Sequence, residues 1–105
     1  FVASKRRLYV LYQSALSNIS DVHLFKEPSA SQSNYWLQTM ILSGNARDMH
    51  EELLKATNQA GIMTRPAWRL LHKLKLYEKC PRAPLCVAEA MEQRVINIPS
   101  SAGLA

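Results

Sequence analysis

Between Thr64 and His72 the sequence reads TRPAWRLLH, and no other stretch gathers so much binding chemistry. Arg65, Arg69 and His72, followed by Lys73 and Lys75, set cationic donors around Trp68. The planar fork of arginine matches phosphate oxygens, and an indole offers a flat apolar face to a base or a sugar. If residues 67–73 are helical, Trp68 and His72 fall one turn apart on the same face. The competing reading makes Trp68 a core residue and the cations solvated surface groups, as most charged side chains are. Asn34, just before Tyr35-Trp36, is either a polar contact at a strand mouth or the loop residue that starts the strand. Ser100-Ser101 could offer hydroxyls and amides to an anion, although a turn after Pro99 is the simpler account.

Other chemistries lack their residues. Cys80 and Cys86 are spaced C-x5-C, which is neither a zinc nor a redox signature, and His23, His50 and His72 pair with neither. Two free thiols and no metal site are expected. No Ser/His or Cys/His pairing has a nucleophile's spacing. Three glycines leave no material for a phosphate-cradling glycine loop.

The elements that would position these groups follow from periodicity. Residues 1–17 read as a helix with Phe1, Lys5, Leu8, Tyr12 and Ala15 on one line. The cluster at residues 17–21 breaks it. Residues 22–25 form a short strand, and NYWLQTMIL (residues 34–42) carries the strongest strand signal. A second helix over 46–60 is expected, with Asn45 as N-cap, Asp48 in the first turn, and Met49, Leu53, Ala56 and Ala60 as its buried stripe. Gly61 should end it as a left-handed C′ residue. A strand at 62–64, a helical turn and loop at 67–80, a third helix at 85–93 and a strand at 95–98 complete the pattern. The fold class is α/β (α+β), a small sheet covered by helices on one face.

At 105 residues the chain suits one compact domain with a modest core. A net charge of +5 favours anionic partners without choosing among them. Lys5, Arg6 and Arg7 lie far from Arg65–Arg82, and Glu51, Glu52, Glu78, Glu89 and Glu92 interrupt the basic residues, so no nucleic-acid stripe forms. The apolar runs are far shorter than the ~18–20 residues of a membrane span, and the charge order at Phe1–Arg7 is not that of a signal peptide. With no starting Met and an opening already inside a helix, the chain reads as a fragment.

The order of motifs is more specific than any one of them. SNYWLQTMIL, a helix ending at Gly61, IMTRPAW-RLLH, the Tyr77–Cys80 loop and AEAMEQRVINIPSS resemble, in register, the C-terminal part of the DegT/DnrJ/StrS nucleotide-sugar aminotransferases. Within that family the motifs resemble those of the subgroup that makes perosamine, bacillosamine or legionaminic-acid precursors. GI-x-TRP-x-W with its following histidine and INIPSS are the specific pieces. Lys75 departs from the family's pattern, where a proline would follow the His-x-Leu step, which leaves the shape of the 72–80 loop open.

The resemblance implies a small C-terminal domain of a fold-type-I aminotransferase. Residues 1–20 would be the helix leading out of a large domain, and residues 21–105 the small α/β domain. The parent enzyme would use pyridoxal phosphate to move an amino group from glutamate to a nucleotide-linked keto-sugar, as a cytoplasmic homodimer supplying surface polysaccharide. Lys5, Lys26, Lys55, Lys73, Lys75 and Lys79 all lie outside the family's lysine motif, so no cofactor and no catalysis are expected of this stretch alone. Asn34, Arg65, Trp68 and His72 would face the substrate. The alternative is a free-standing, non-catalytic binding or regulatory domain with the same fold.

Overall fold

The computed structural model describes all residues 1–105. Its sheet is built around β2 (Gln38–Leu42), whose residues alternate between two faces. β2 pairs antiparallel with β1 (Val22–Leu24) on one side and with β4 (Val95–Ile98) on the other. The edge strand β3 (Arg65–Pro66) pairs antiparallel with β4, giving the order β1-β2-β4-β3. Because β2 and β3 both run opposite to β4, they are parallel to each other. The β2–helix–β3 unit is therefore a split β-α-β with β4 inserted in its gap.

Met40, Leu42, Ala46 and Ile96 form the core, and Met40 sits directly opposite Ile96. Leu16 of α1 (Val2–Leu16) and Leu53 and Leu54 of α2 (His50–Gln59) pack against that cluster, with Val22, Leu24 and Ile98 from the strands. The third helix, α3 (Cys86–Glu92), leads into β4. The mixed helix and sheet class is as the sequence indicates.

Several boundaries differ from the sequence expectation, each for a local reason. The strand expected over 34–42 begins only at Gln38, because Tyr35 takes φ +46° and turns the chain out of extended geometry. Asn45 does not cap a helix. A 3-10 turn spans Gly44–Met49, and α2 starts at His50 without a side-chain cap. The expected stripe fails with that shift: Met49, Ala56 and Ala60 are exposed, and Leu53, Leu54 and Thr57 face inward. Residues 62–64 are not a strand, which is instead the dipeptide Arg65–Pro66 at the sheet edge, where proline's missing N–H is tolerated. On α1 the inward line is Lys5, Leu8, Tyr9, Tyr12 and Leu16; Phe1 and Ala15 are exposed.

Gly61 ends α2 as expected. It adopts φ +79°, its N–H donates to the Asn58 carbonyl (3.1 Å), and the Ile62 N–H reaches back to the Thr57 carbonyl (2.8 Å). Both bonds of a Schellman cap are thus made. Just beyond it, buried Thr64 is pinned to the helix end: its hydroxyl lies 2.6 Å from that of Thr57, and the Asn58 amide donates to the Thr64 carbonyl at 3.0 Å.

Helix α1 is stitched to the sheet by polar contacts as well as by packing. The fully buried Gln38 amide donates to the Lys5 carbonyl (2.9 Å), and the Tyr12 hydroxyl donates to the Pro99 carbonyl (3.0 Å). Burial pushes the Tyr9 and Tyr12 phenols above their ordinary pKa. The radius of gyration is 15.2 Å, against about 13 Å for a compact domain of this length. The excess goes with many large side chains left in water, among them Phe1, Val10, Leu11, Trp36, Trp68, Leu71 and Leu76.

Candidate functional site

Of the four residues singled out by the sequence, two share a neighbourhood, His72 occupies a second, and Arg65 stands on the sheet edge. Asn34 and Trp68 converge on a residue the sequence reading did not select, Trp36. The Asn34 side-chain oxygen accepts the Trp36 N–H at 2.9 Å, a local turn that asparagine favours. The indoles of Trp36 and Trp68 lie 6.4 Å apart between centroids at a 36° tilt. Both remain open to water, with 63% of Trp36 and 76% of Trp68 exposed. Trp68 is therefore not a core residue.

The backbone of Trp36 is fixed from two further directions. Its carbonyl accepts from the Lys5 ammonium (3.0 Å) and from the Ser100 hydroxyl (3.0 Å), while Lys5 also donates to the Ser100 carbonyl (2.6 Å). Upstream, Arg6 forks both carboxylate oxygens of Glu27 at 2.9 Å and donates to the Ser33 carbonyl (2.7 Å). The Ser33 N–H also donates to Glu27. The Arg6 hydrogen bond and that backbone N–H hold the Glu27 carboxyl below the usual carboxylate range. The Ser33 hydroxyl in turn accepts the Tyr35 N–H at 2.9 Å. This chain of bonds holds Tyr35 in its left-handed conformation and presents Trp36 outward.

Arg65 lies on the edge strand, opposite Asn97. It is exposed, and its guanidinium forms no ion pair or hydrogen bond. Arg69 is likewise exposed and unpaired. It lines a cavity of about 510 Å³ with Arg47 and His50, but Asp48, Glu51 and Glu92 line the same walls, so that hollow is mixed in charge.

His72 belongs to the second neighbourhood. Only 11% of its side chain is exposed, and its Nε2 lies 3.0 Å from Glu89 of α3. Next to it Lys73 pairs with Glu92, whose other oxygen accepts the Leu70 N–H (3.1 Å). The Lys73 contact leads the causes that hold Glu92 below the ordinary carboxylate range. These two pairs fasten the 70–73 turn to α3. His72 also borders an apolar hollow of about 400 Å³ with Leu71, Tyr77, Cys80 and Leu85. Trp68 and His72 do not lie on one helical face, because the only helical turn here is the 3-10 segment Leu71–Lys73.

Trp36 escaped the sequence reading because YWL fits a half-buried strand. Lys5 escaped because its partners are backbone carbonyls 31 and 95 residues away. The one available signal was Asn34, an Asx-turn former inside an apparent strand.

The fold is one found in solved aminotransferase structures. The chain belongs to the DegT/DnrJ/EryC1/StrS aminotransferase family, whose sequence profile matches residues 1–105. It is 26% identical over 104 residues to the GDP-perosamine synthase of Vibrio cholerae, covering 98% of this chain and 28% of that protein. It is 27% identical over 77 residues to the putative pyridoxal phosphate-dependent aminotransferase EpsN of Bacillus subtilis, covering 73% and 19%. Among solved structures, Helicobacter pylori PseC, an aminotransferase of pseudoaminic acid biosynthesis, superposes with a TM-score of 0.87 at 16% identity, covering 99% of this chain and 28% of that one. DesI, solved with its TDP-sugar product, gives 0.84 at 22%, covering 99% and 27%. The chain thus spans under a third of the length of the relatives it matches.

The residues present do not fit the anchoring of pyridoxal phosphate. That cofactor needs a desolvated lysine for its aldehyde and a carboxylate for its ring nitrogen. Lys5 is committed to two carbonyls and Lys73 to Glu92, while Lys26, Lys55, Lys75 and Lys79 stand in solvent. No three of the His, Cys, Asp and Glu side chains gather as metal ligands, and both cysteines are free and exposed. No helix is long and apolar enough to cross a membrane.

Proposed function

We propose that this chain is the substrate-cleft wall of a pyridoxal phosphate-dependent aminotransferase. The enzyme would move an amino group from glutamate to a keto-sugar carried on a nucleoside diphosphate, in amino-sugar synthesis for surface polysaccharide. It would work as a homodimer in the cytoplasm. The cofactor's anchoring lysine would come from residues outside this chain, since none within it fits. Family membership supports the reaction class. Two relatives point the same way by name, one a GDP-perosamine synthase and the other crystallised with a TDP-sugar.

The observation that carries the reading is the pairing of an unsatisfied cation with an open indole three residues apart. Arg65 is exposed without a partner on β3, and Trp68 projects from the segment leaving that strand. A diphosphate needs a fixed guanidinium, which makes charge-assisted and often bidentate bonds to its oxygens. The base or sugar of the substrate needs a flat apolar face with polar groups beside it. Asn34 would supply its amide to the substrate beside the indoles, and His72, in the other neighbourhood, its imidazole to the part of the substrate that reaches the 70–73 turn, with Glu89 orienting the histidine ring.

The test uses the enzyme that carries the lysine motif together with this chain. Arg65→Ala and His72→Ala should each raise the KM for the sugar nucleotide about tenfold, the loss of one charge-assisted bond, while cofactor absorbance stays unchanged. Wild-type kinetics in both variants would refute the cleft-wall role.

A further inference from the structure

Trp36 stands apart from the other exposed apolar residues because its backbone is fixed on both sides and its indole lies beside that of Trp68. Trp36 is held by Asn34 at its N–H and by Lys5 and Ser100 at its carbonyl. Its neighbour Tyr35 is buried at φ +46°, a conformation that costs energy and persists only where the surroundings impose it. Here the Arg6–Glu27–Ser33 bonds impose it. The result is an indole turned out of the sheet and set against Trp68, with most of both rings left in water.

We propose that Trp36 and Trp68 form a preorganised stacking platform for the nucleobase of a nucleoside diphosphate. This rests on the sugar-nucleotide reading above and adds to it the recognition of the base and the residue Trp36. With centroids 6.4 Å apart and a 36° tilt, the two rings leave no slot for a base between them, so the ligand ring lies on an outer face. The surroundings choose the occupant. Asn34, Lys5 and Ser100 are used in fixing the Trp36 backbone, and the free cation nearest in the chain is the unpaired, exposed Arg65, three residues before Trp68. An open aromatic surface with an unpaired guanidinium on the adjoining segment matches a flat heterocycle that carries anionic phosphate. The net charge of +5 favours the same ligand. Stacking accepts any base, so the platform supplies affinity and leaves base discrimination to hydrogen bonds at the ring edge.

The experiment titrates the protein with guanosine diphosphate and uridine diphosphate and follows tryptophan fluorescence, with ribose 5-phosphate as the base-free control. Both diphosphates should quench emission saturably, and ribose 5-phosphate should not. Trp36→Leu should weaken binding of both about tenfold, and Trp36→Phe should restore most of it because a ring remains. Circular dichroism of each variant verifies folding. Equal binding by Trp36→Leu and wild type, or equal competition by ribose 5-phosphate, overturns the platform. If that happens while Arg65→Ala still raises the KM of the longer enzyme, the platform alone falls. If wild type binds neither diphosphate and Arg65→Ala is kinetically silent, the cleft-wall reading falls with it.

Discussion

Tyr35 stacks on Tyr9 of α1 with ring centroids 4.7 Å apart and an interplanar angle of 29°, and the Arg6 guanidinium lies 5.4 Å from the Tyr35 ring centroid. The stack ties the first helix to the one non-glycine residue with positive φ. One contact therefore links the packing of α1, the irregular start of β2 and the outward turn of Trp36. Aromatic pairs in this geometry contribute about 0.5–1.5 kcal/mol beyond the area they bury.

Tyr35→Ala should accordingly cost about 3 kcal/mol, through the lost buried ring and the cavity it leaves. A double-mutant cycle of Tyr9→Leu with Tyr35→Leu, read from denaturant midpoints, should show a coupling of about 1 kcal/mol. Additive single effects would mean that the rings are neighbours without mutual stabilisation.

Glu27 should make folding sensitive to acid. Its carboxyl is held below the usual range first by the Arg6 hydrogen bond and then by the Ser33 N–H. The unfolded chain then binds the proton more readily than the folded one, so lowering the pH favours unfolding. The stabilisation is complete above the unfolded carboxylate range and is lost as pH falls through the folded pKa. Glu92, depressed chiefly by its Lys73 contact, acts in the same direction. Stability measured against pH should therefore drop on the acid side, and Glu27→Gln should flatten part of that drop. An unchanged acid limb in Glu27→Gln would remove Glu27 from the account.

The sequence made legible what depends on local pattern. The helix at residues 2–16, the alternation at 95–98 and the cap at Gly61 all follow from periodicity or from glycine's freedom at positive φ. The order of motifs carried the family across the whole chain. What the sequence hid depends on distant backbone groups. Nothing near Tyr35 announces its left-handed turn, because Arg6 and Glu27, which enforce it, lie 29 and eight residues away in the chain. Asn45 looks like a cap because it precedes an apolar run, yet the chain there is still in a 3-10 turn and α2 starts at His50. His72 and Trp68 invite a shared helical face that the extended backbone at Leu70 (ψ 137°) does not supply.

Gly61 offers a test of how far the end of α2 controls the binding segment. A Cβ built there would meet nothing within 4 Å, so an alanine would cost only the strain of φ +79°, about 1 kcal/mol. The chain can relieve that strain by abandoning the Schellman bonds from Gly61 and Ile62. Thr64 resists this, because Thr57 and Asn58 hold both its hydroxyl and its carbonyl. Since β3 begins one residue later, any slip at Gly61 is passed directly to Arg65 and the approach to Trp68. Gly61→Ala should therefore lower stability by about 1 kcal/mol with the Trp36–Trp68 near-ultraviolet dichroism unchanged. Gly61→Ala combined with Thr64→Val, which removes the hydroxyl anchor, should lose more than the sum of the two and alter that dichroism. Strict additivity with an unaltered indole signal would show that the end of α2 and the indole pair are positioned independently.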